Sequence, residues 1–320
     1  MKQYNILIYG TGAVGIYFGG KLYQAGFNTT FVDLPEKVRK IENKTLSIRS
    51  EGSKDYVFSP PIVEDVFDLP VQDIVLICVK AFQTYDIALN LLPVIKPTTI
   101  ILSLQNGLEN ERILSDLLGK NLVMGSVIYF SGILDGPSTV VKKAPGQIIF
   151  GETDHQGSQR EEWLSKIFSH ADINHKISRN INLEVWKKFI WSNAYNSVSA
   201  LTSTTLKQIH QAEGILHTIR QMMTEVQQIA EAEGIQIPNQ ILDELINSAG
   251  NYADVKTSML KDMESGQMPE LEAIVGVVLK KAEKHGITTP VNQTIYNLIR
   301  LSLKNIDYQT EEKNALERPL

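Results

Sequence analysis

Asn5-Ile6-Leu7-Ile8-Tyr9-Gly10-Thr11-Gly12-Ala13-Val14-Gly15 is the stretch that decides the fold of this chain. The run 5–9 is apolar and near-continuous rather than alternating, which is how a strand covered by helices on both faces reads. Three glycines follow at once and open a segment, 13–25, that reads as a helix. In that order the first glycine permits a tight turn and the second lets the backbone approach an anion. The third allows close helix-to-strand packing, and the helix N-terminus offers its N–H groups to the anion. The GxGxxG spacing alone is weak, and its surroundings give it weight.

Those surroundings continue the pattern. Apolar runs at 29–33 (TTFVD), 73–79 (DIVLICV) and 99–104 (TIILSL) alternate with helix-length segments, so the first half is predicted to be α/β with a parallel sheet. Asp33 ends the second run, 18 residues past Gly15, where a carboxylate suits the hydroxyls of an adenosine ribose. Gly10, Thr11, Gly12, Ala13, Val14, Gly15 and Asp33 are therefore candidate contacts to a dinucleotide. Asp33 favours NAD over NADP, because a 2′-phosphate would meet a carboxylate, although Lys37, Arg39 and Lys40 are near enough in sequence to neutralise one. Lys80 and Asn106 follow the third and fourth runs, at the strand ends where open α/β sheets bind ligands. Asn106-Gly107 is equally a common turn pair.

Between 122 and 178 the texture shifts to shorter stretches, 122–129, 138–143 and 147–151, broken by Gly-Pro at 136–137 and Pro-Gly at 145–146. These strands are expected to extend or flank the first sheet. Beyond Ser178 strand signals vanish. Segments 181–201, 208–233, 239–264, 269–285 and 291–304 read as helices, with Gly234 and Gly286 as C-caps and Pro238 and Pro290 just beyond them. The expected domains are 1–178, which binds the dinucleotide, and 179–320, all-helical, with a frayed charged tail after Lys304.

Length and composition agree. A chain of 320 residues makes about two domains, large enough to fold without covalent staples. Net charge −5 offers no attraction to phosphate backbones or anionic lipid, so neither nucleic acid nor a membrane is an expected partner. One cysteine, Cys78, rules out an intrachain disulfide and a thiolate zinc site, which suits a reducing cytoplasm. The six histidines show no metal-binding spacing, so no metal is expected. The apolar run at the start is too short for a signal peptide, and none reaches the roughly 18 residues of a membrane span.

Within 181–201, Val185, Trp186, Phe189, Ile190, Trp191 and Val198 mark a mostly buried helix. Lys188, Ser192, Asn196 and Ser199 recur at helical spacing as a polar stripe on it. Such a stripe is costly unless satisfied, which suggests a wet cleft. Pro269 suits the first turn of the helix 269–285, placing Glu270 and Glu272 near its N-terminus, where carboxylates are favourable for dipole reasons alone.

From GTGAVG through VKAFQ (79–83), LQNGLENE (104–111), PGQIIFGE (145–152), EVWKKF (184–189), SMLKD (258–262), PELEAIVG (269–276) and KAEKHGITTP (281–290), the chain resembles the ketopantoate (2-dehydropantoate) 2-reductases. The resemblance implies a Rossmann-like doubly wound sheet followed by an all-α domain like the C-terminal domain of 6-phosphogluconate dehydrogenase. It implies an oxidoreductase of pantothenate biosynthesis that reduces a 2-oxo acid with NAD(P)H, by family default NADPH. Lys188 matches the catalytic lysine, which must be protonated when substrate binds, and Glu270 the active-site glutamate. Asn106 matches the asparagine beside the nicotinamide, Lys80 a cofactor-binding lysine, and Asn196 and Ser258 substrate contacts. Ser192 stands where the family has an asparagine. Gln267, Pro269, Glu272 and Val275 replace Arg, Thr, Asp and Asn of a common pattern, and Leu34 lies where an arginine often meets the 2′-phosphate. Asp33 and Leu34 thus lean towards NADH. The expected partner is a small 2-oxo acid, with room for a homodimer. Alternatives are a dehydrogenase for another 2-oxo or hydroxy acid and a nonenzymatic dinucleotide sensor.

Overall fold

The computed structural model describes residues 4–50, 52, 54–250 and 254–304; the tail expected to fray after Lys304 lies outside them. The chain divides into two compact units, Met1–Gln105 with Glu109–Glu184, and Asn106–Leu108 with Val185–Leu320. Glu184 and Val185 are consecutive residues of one helix, Ile181–Thr202.

The first unit is built on a ten-stranded sheet: β1 (Asn5–Tyr9), β2 (Asn28–Val32), β3 (Leu46–Ser50), β4 (Tyr56–Phe58), β5 (Ile62–Val63), β6 (Ile74–Ile77), β7 (Ile100–Ser103), β8 (Val123–Asp135), β9 (Thr139–Gly151) and β10 (Asn174–Ile177). The order is β4-β3-β9-β8-β7-β6-β1-β2-β5, with β10 on β9. From β5 to β8 all neighbours are parallel, and β1 lies between β2 and β6, so the winding reverses there. Among the described residues this unit carries the helices α1 (Ala13–Gln24), α2 (Pro35–Val38), α3 (Thr84–Leu91), α4 (Asn110–Leu118) and α5 (Gln159–His170).

Strand parity shows why the central runs are apolar throughout. Ile6 and Ile8 face one core cluster with Ile16, Phe18, Leu164 and Phe168, whereas Leu7 and Tyr9 face another with Ile87, Leu91 and Leu114. Ile74 and Leu76 join the first cluster, and Val75 and Ile77 the second. Each aliphatic side chain removed from water contributes about 1.5–3 kcal/mol, which is why both faces of β1 and β6 are aliphatic.

Two readings of this half are corrected. The stretches 138–143 and 147–151 form one strand, β9, carried through Pro145-Gly146 by register shifts in its pairing with β8 between Tyr129 and Gly132. A bulge accommodates the missing proline N–H without ending the strand. In addition, β3 and β4 were not visible as strands. Their short, half-polar runs become strands by pairing with each other and with β9.

The second unit is helical: α6 (Ile181–Thr202, from Val185 onward), α7 (Leu206–Gln211), α8 (Ile215–Ala232), α9 (Asn239–Gly250), α10 (Ser258–Glu264), a π turn (Glu272–Gly276), α11 (Val277–His285) and α12 (Pro290–Leu303). Gly234 and Gly286 adopt the positive φ expected past helix ends, at 86° and 65°, and Pro290 opens α12. The segment 208–233 is two helices because Gly214 turns left-handed, φ 78°, between them. Likewise 239–264 is two helices: Val255 O accepts from Leu206 N, and the Thr257 side chain caps α10 by accepting from Leu260 N. Nor does Pro269 start a helix. Pro269 and Glu270 are non-helical, and the helical chain begins at Leu271.

Two carboxylates tie this unit together. Glu225 on α8 accepts from Val291 N, Asn292 N and Asn292 Nδ2 at 2.7–2.9 Å, filling the donors at the start of α12. Glu233 takes Lys281, Lys284 and His285 of α11 at 3.0, 3.0 and 2.6 Å. Burial alone would raise the Glu233 carboxyl, but hydrogen bonds from His285, Lys284 and Lys281 bring it down to about 2 from 4.5. A depressed carboxyl stabilises the fold above its unfolded value, and that contribution is lost as pH falls from about 4.5 towards 2. Glu233→Gln should therefore cost about 1 kcal/mol at pH 7, after solvent screening, and much less at pH 3 in urea titrations. An equal cost at both values would refute the charge assignment.

Candidate active site

At the carboxyl end of β1 the chain turns through Gly10, whose φ of 115° favours glycine. A Cβ on Gly15 would lie 1.9 Å from Gly10 O, so only glycine lets α1 pack against the turn. Gly12 is different. Its φ is −75°, and a Cβ there would meet nothing nearer than Cys78 O at 3.9 Å. The protein itself has room for a side chain at Gly12, so packing within the protein does not call for glycine there. As the N-cap of α1, Gly12 brings no side chain to the first N–H groups of the helix, which suits a phosphate. The loop thus fits the pyrophosphate of a dinucleotide.

Asp33 is 2% exposed and joined to this loop. Its Oδ2 accepts from Thr11 N at 2.6 Å and from Thr11 Oγ1 at 2.7 Å. Oδ1 accepts from Leu34 N at 2.8 Å and lies 3.6 Å from Lys37 Nζ. The carboxylate thus braces the glycine turn at the end of β2. Leu34 is exposed, and Lys37 is half-exposed beside the carboxylate. Lys80, half-buried, follows β6 as the N-cap of the 3₁₀ turn Ala81–Gln83. Desolvation, then the charge of Asp33, pushes the Cys78 thiol up, so it remains a neutral thiol.

The second unit holds the other cluster. Lys188 Nζ donates to Asn106 Oδ1 at 3.0 Å, and Asn106 Nδ2 donates to Glu270 Oε2 at 3.3 Å. One carboxamide therefore has its oxygen on the ammonium and its nitrogen on the carboxylate, the only orientation the charges permit. Lys188 is half-buried and Glu270 is 7% exposed. One and two turns beyond Lys188, Ser192 and Asn196 are 6% and 4% exposed, and their side chains have no hydrogen-bond partner among the described residues. Ser199 differs, since its hydroxyl donates to Thr204 O at 2.6 Å. Ser258 stands exposed in the first turn of α10 and is not hydrogen-bonded to the cluster.

Sequence reasoning missed two features. The bond of Asp33 to Thr11 depends on side-chain direction. Asn193, fully buried, donates from Nδ2 to Ile274 O at 3.0 Å. An amide off the polar stripe, in so apolar a helix, was the available signal.

The ketopantoate reductase PanE/ApbA family matches residues 6–155, and its C-terminal family matches 180–302. A 2-dehydropantoate 2-reductase from Nostoc sp. is 29% identical over 94% of this chain and 95% of its own. The crystal structure of a PanE/ApbA family ketopantoate reductase from Ralstonia eutropha superposes with a TM-score of 0.84 at 30% identity, covering 93% and 97% of the two chains. D-mandelate dehydrogenase, in a ternary structure with NADH and anilino(oxo)acetate, shares the fold at 21% identity, with a TM-score of 0.86 and 94% and 99% coverage. No helix among the described residues is long and apolar enough to cross a membrane. With both of its halves matched in order along a sheet unit and a helical unit, the chain belongs to the ketopantoate reductase family of oxidoreductases.

Proposed function

We propose that this protein reduces a 2-oxo acid, 2-dehydropantoate first among them, to the 2-hydroxy acid with a reduced nicotinamide dinucleotide. The observation that supports this most is the array Lys188–Asn106–Glu270. The 1–178 part would hold the dinucleotide through Gly10, Thr11, Gly12, Ala13, Val14, Gly15, Asp33 and Lys80, and Asn106 with residues of 179–320 would hold the substrate. The bound dinucleotide supplies a hydride to the carbonyl carbon. Lys188, as an ammonium, polarises the carbonyl oxygen and delivers a proton from Nζ to the alkoxide. Asn106 aims that ammonium. Glu270 holds Asn106 by accepting from its Nδ2 and accepts a hydrogen bond from a substrate hydroxyl. Ser192 and Asn196, buried without partners in the described chain, offer a hydroxyl and an amide to the substrate carboxylate and hydroxyls. Their polar atoms are not among the fully buried unpartnered ones, so water reaches them in the free protein and a substrate would take its place. Ser258 is a further candidate contact only if it turns inward.

The test is dinucleotide oxidation across a panel of 2-oxo acids. The expected result is the highest kcat/KM with 2-dehydropantoate. A tenfold advantage for another acid would move the substrate assignment. Dinucleotide binding without turnover on any acid would leave a binding module.

For the cofactor we favour NADH at least equal to NADPH, since the 2′-phosphate would approach Asp33, and Leu34 provides no positive charge. Lys37 already faces Asp33 Oδ1 at 3.6 Å, so it can only partly offset this. Asp33 is buried but Lys37 beside it is half-exposed, and a pair with one solvated partner is worth about 1 kcal/mol, which keeps the preference modest. Asp33→Asn, which keeps an acceptor for Thr11, should shift the kcat/KM ratio towards NADPH. A parental preference for NADPH above about 100-fold, roughly 2.7 kcal/mol, would overturn this reading of Asp33.

A further inference from the structure

We propose that Asn193 is a positioning residue that sets Glu270 against Lys188 by holding the π turn to the lysine's own helix. This rests on the catalytic reading given above. Asn193 lies five residues beyond Lys188 on α6, about 140° around the helix, so it projects away from the polar stripe. Its side chain is fully buried, and its Oδ1 has no partner among the described residues. A buried orphan oxygen is destabilising, and leucine would fill similar space without it. Stability does not explain the amide. What the amide does is donate from Nδ2 to Ile274 O at 3.0 Å.

Ile274 lies in the π turn Glu272–Gly276, a geometry often found at functional sites. The Ile274 N–H donates to Glu270 O at 3.1 Å. Glu270 is non-helical, so no helix of its own fixes its carboxylate. The hydrogen bonds instead close a circuit. From α6 it runs through Asn193 to the Ile274 peptide and on to the Glu270 carbonyl. It returns from the Glu270 carboxylate through Asn106 to Lys188, on α6 again. A loop anchored at both ends on one rigid helix has little freedom, so acid and carboxylate keep their spacing. A second clamp holds the turn from outside, where Tyr296 OH donates to Glu272 Oε1 at 2.6 Å.

The experiment compares Asn193→Leu with the parent, with Asn193→Ala as a second variant should the first fail to fold. Leucine removes the donor and the orphan oxygen together, so the melting temperature should hold or rise. Per folded molecule, kcat should fall about tenfold and KM for the 2-oxo acid rise at least about threefold, with KM for the dinucleotide unchanged. A purely structural role would lower the melting temperature and kcat without moving either KM. A readout independent of turnover is the rate of Lys188 acylation at fixed pH, followed by peptide mass spectrometry. Freed from an ordered Asn106 and Glu270, Lys188 should react at least about threefold faster in the variant. Parental acylation and parental kinetics in both variants would overturn the proposal. A parent inactive on every 2-oxo acid, with acylation still faster in the variant, would overturn the catalytic reading and leave the circuit standing.

Discussion

Lys188→Ala lowers turnover of the 2-oxo acid by about 10²–10⁴-fold, the usual worth of a positioned general acid, and leaves dinucleotide affinity within about twofold. Both halves of that expectation come from where the lysine sits. Its Nζ bonds Asn106 Oδ1, and Asn106 in turn bonds Glu270, so the proposed proton donor is held by groups of the second unit. The glycine turn and Asp33, which fit the dinucleotide, are in the first unit. Isothermal titration with the dinucleotide and steady-state turnover separate the two effects. Because Lys188 is half-buried on a helix with a core of its own, alanine there should leave the fold intact. Turnover within a few-fold of the parent would remove Lys188 as the acid.

The glycine turn gives the second large effect, and its three glycines should fail differently. At Gly15 an alanine Cβ would meet Gly10 O at 1.9 Å, a backbone atom that cannot swing away, so α1 must shift from β1. Overpacking of that kind costs about 3 kcal/mol or more. Gly10→Ala combines a left-handed φ with contacts of 3.0 Å to the Cys78 and Val79 backbone, and should also destabilise. Gly12→Ala should leave stability within about 0.5 kcal/mol, because the residue has an ordinary φ and open space, yet weaken dinucleotide binding at least tenfold, about 1.4 kcal/mol. Denaturant titration and dinucleotide binding on the three variants check this. Parental dinucleotide affinity in Gly12→Ala would show that no ligand approaches the backbone there.

Much of the first unit was legible because its determinants are local in sequence. The central strands are buried on both faces, so their runs are mostly apolar, and the glycine turn from β1 into α1 is written within six residues. Helix ends at Gly234, Gly286 and Pro290 were legible for the same reason, since capping depends on one residue's φ or a missing N–H. By itself the sequence determined the α/β class of the first half, the helical class of the second, and Lys188, Asn106 and Glu270 as candidates. Tertiary structure alone decided what depends on distant partners. The strand β3 exists through pairing with β9 and β4 through pairing with β3, and Pro145 stays within a strand because the opposing chain shifts register. The bond of Asp33 to Thr11 spans 22 residues, that of Asn106 to Glu270 spans 164, and that of Asn193 to Ile274 spans 81. Periodicity reports which face of an element is buried, whereas the partner of a buried polar atom is set by chain folding, and the ordering of this site is a matter of such partners.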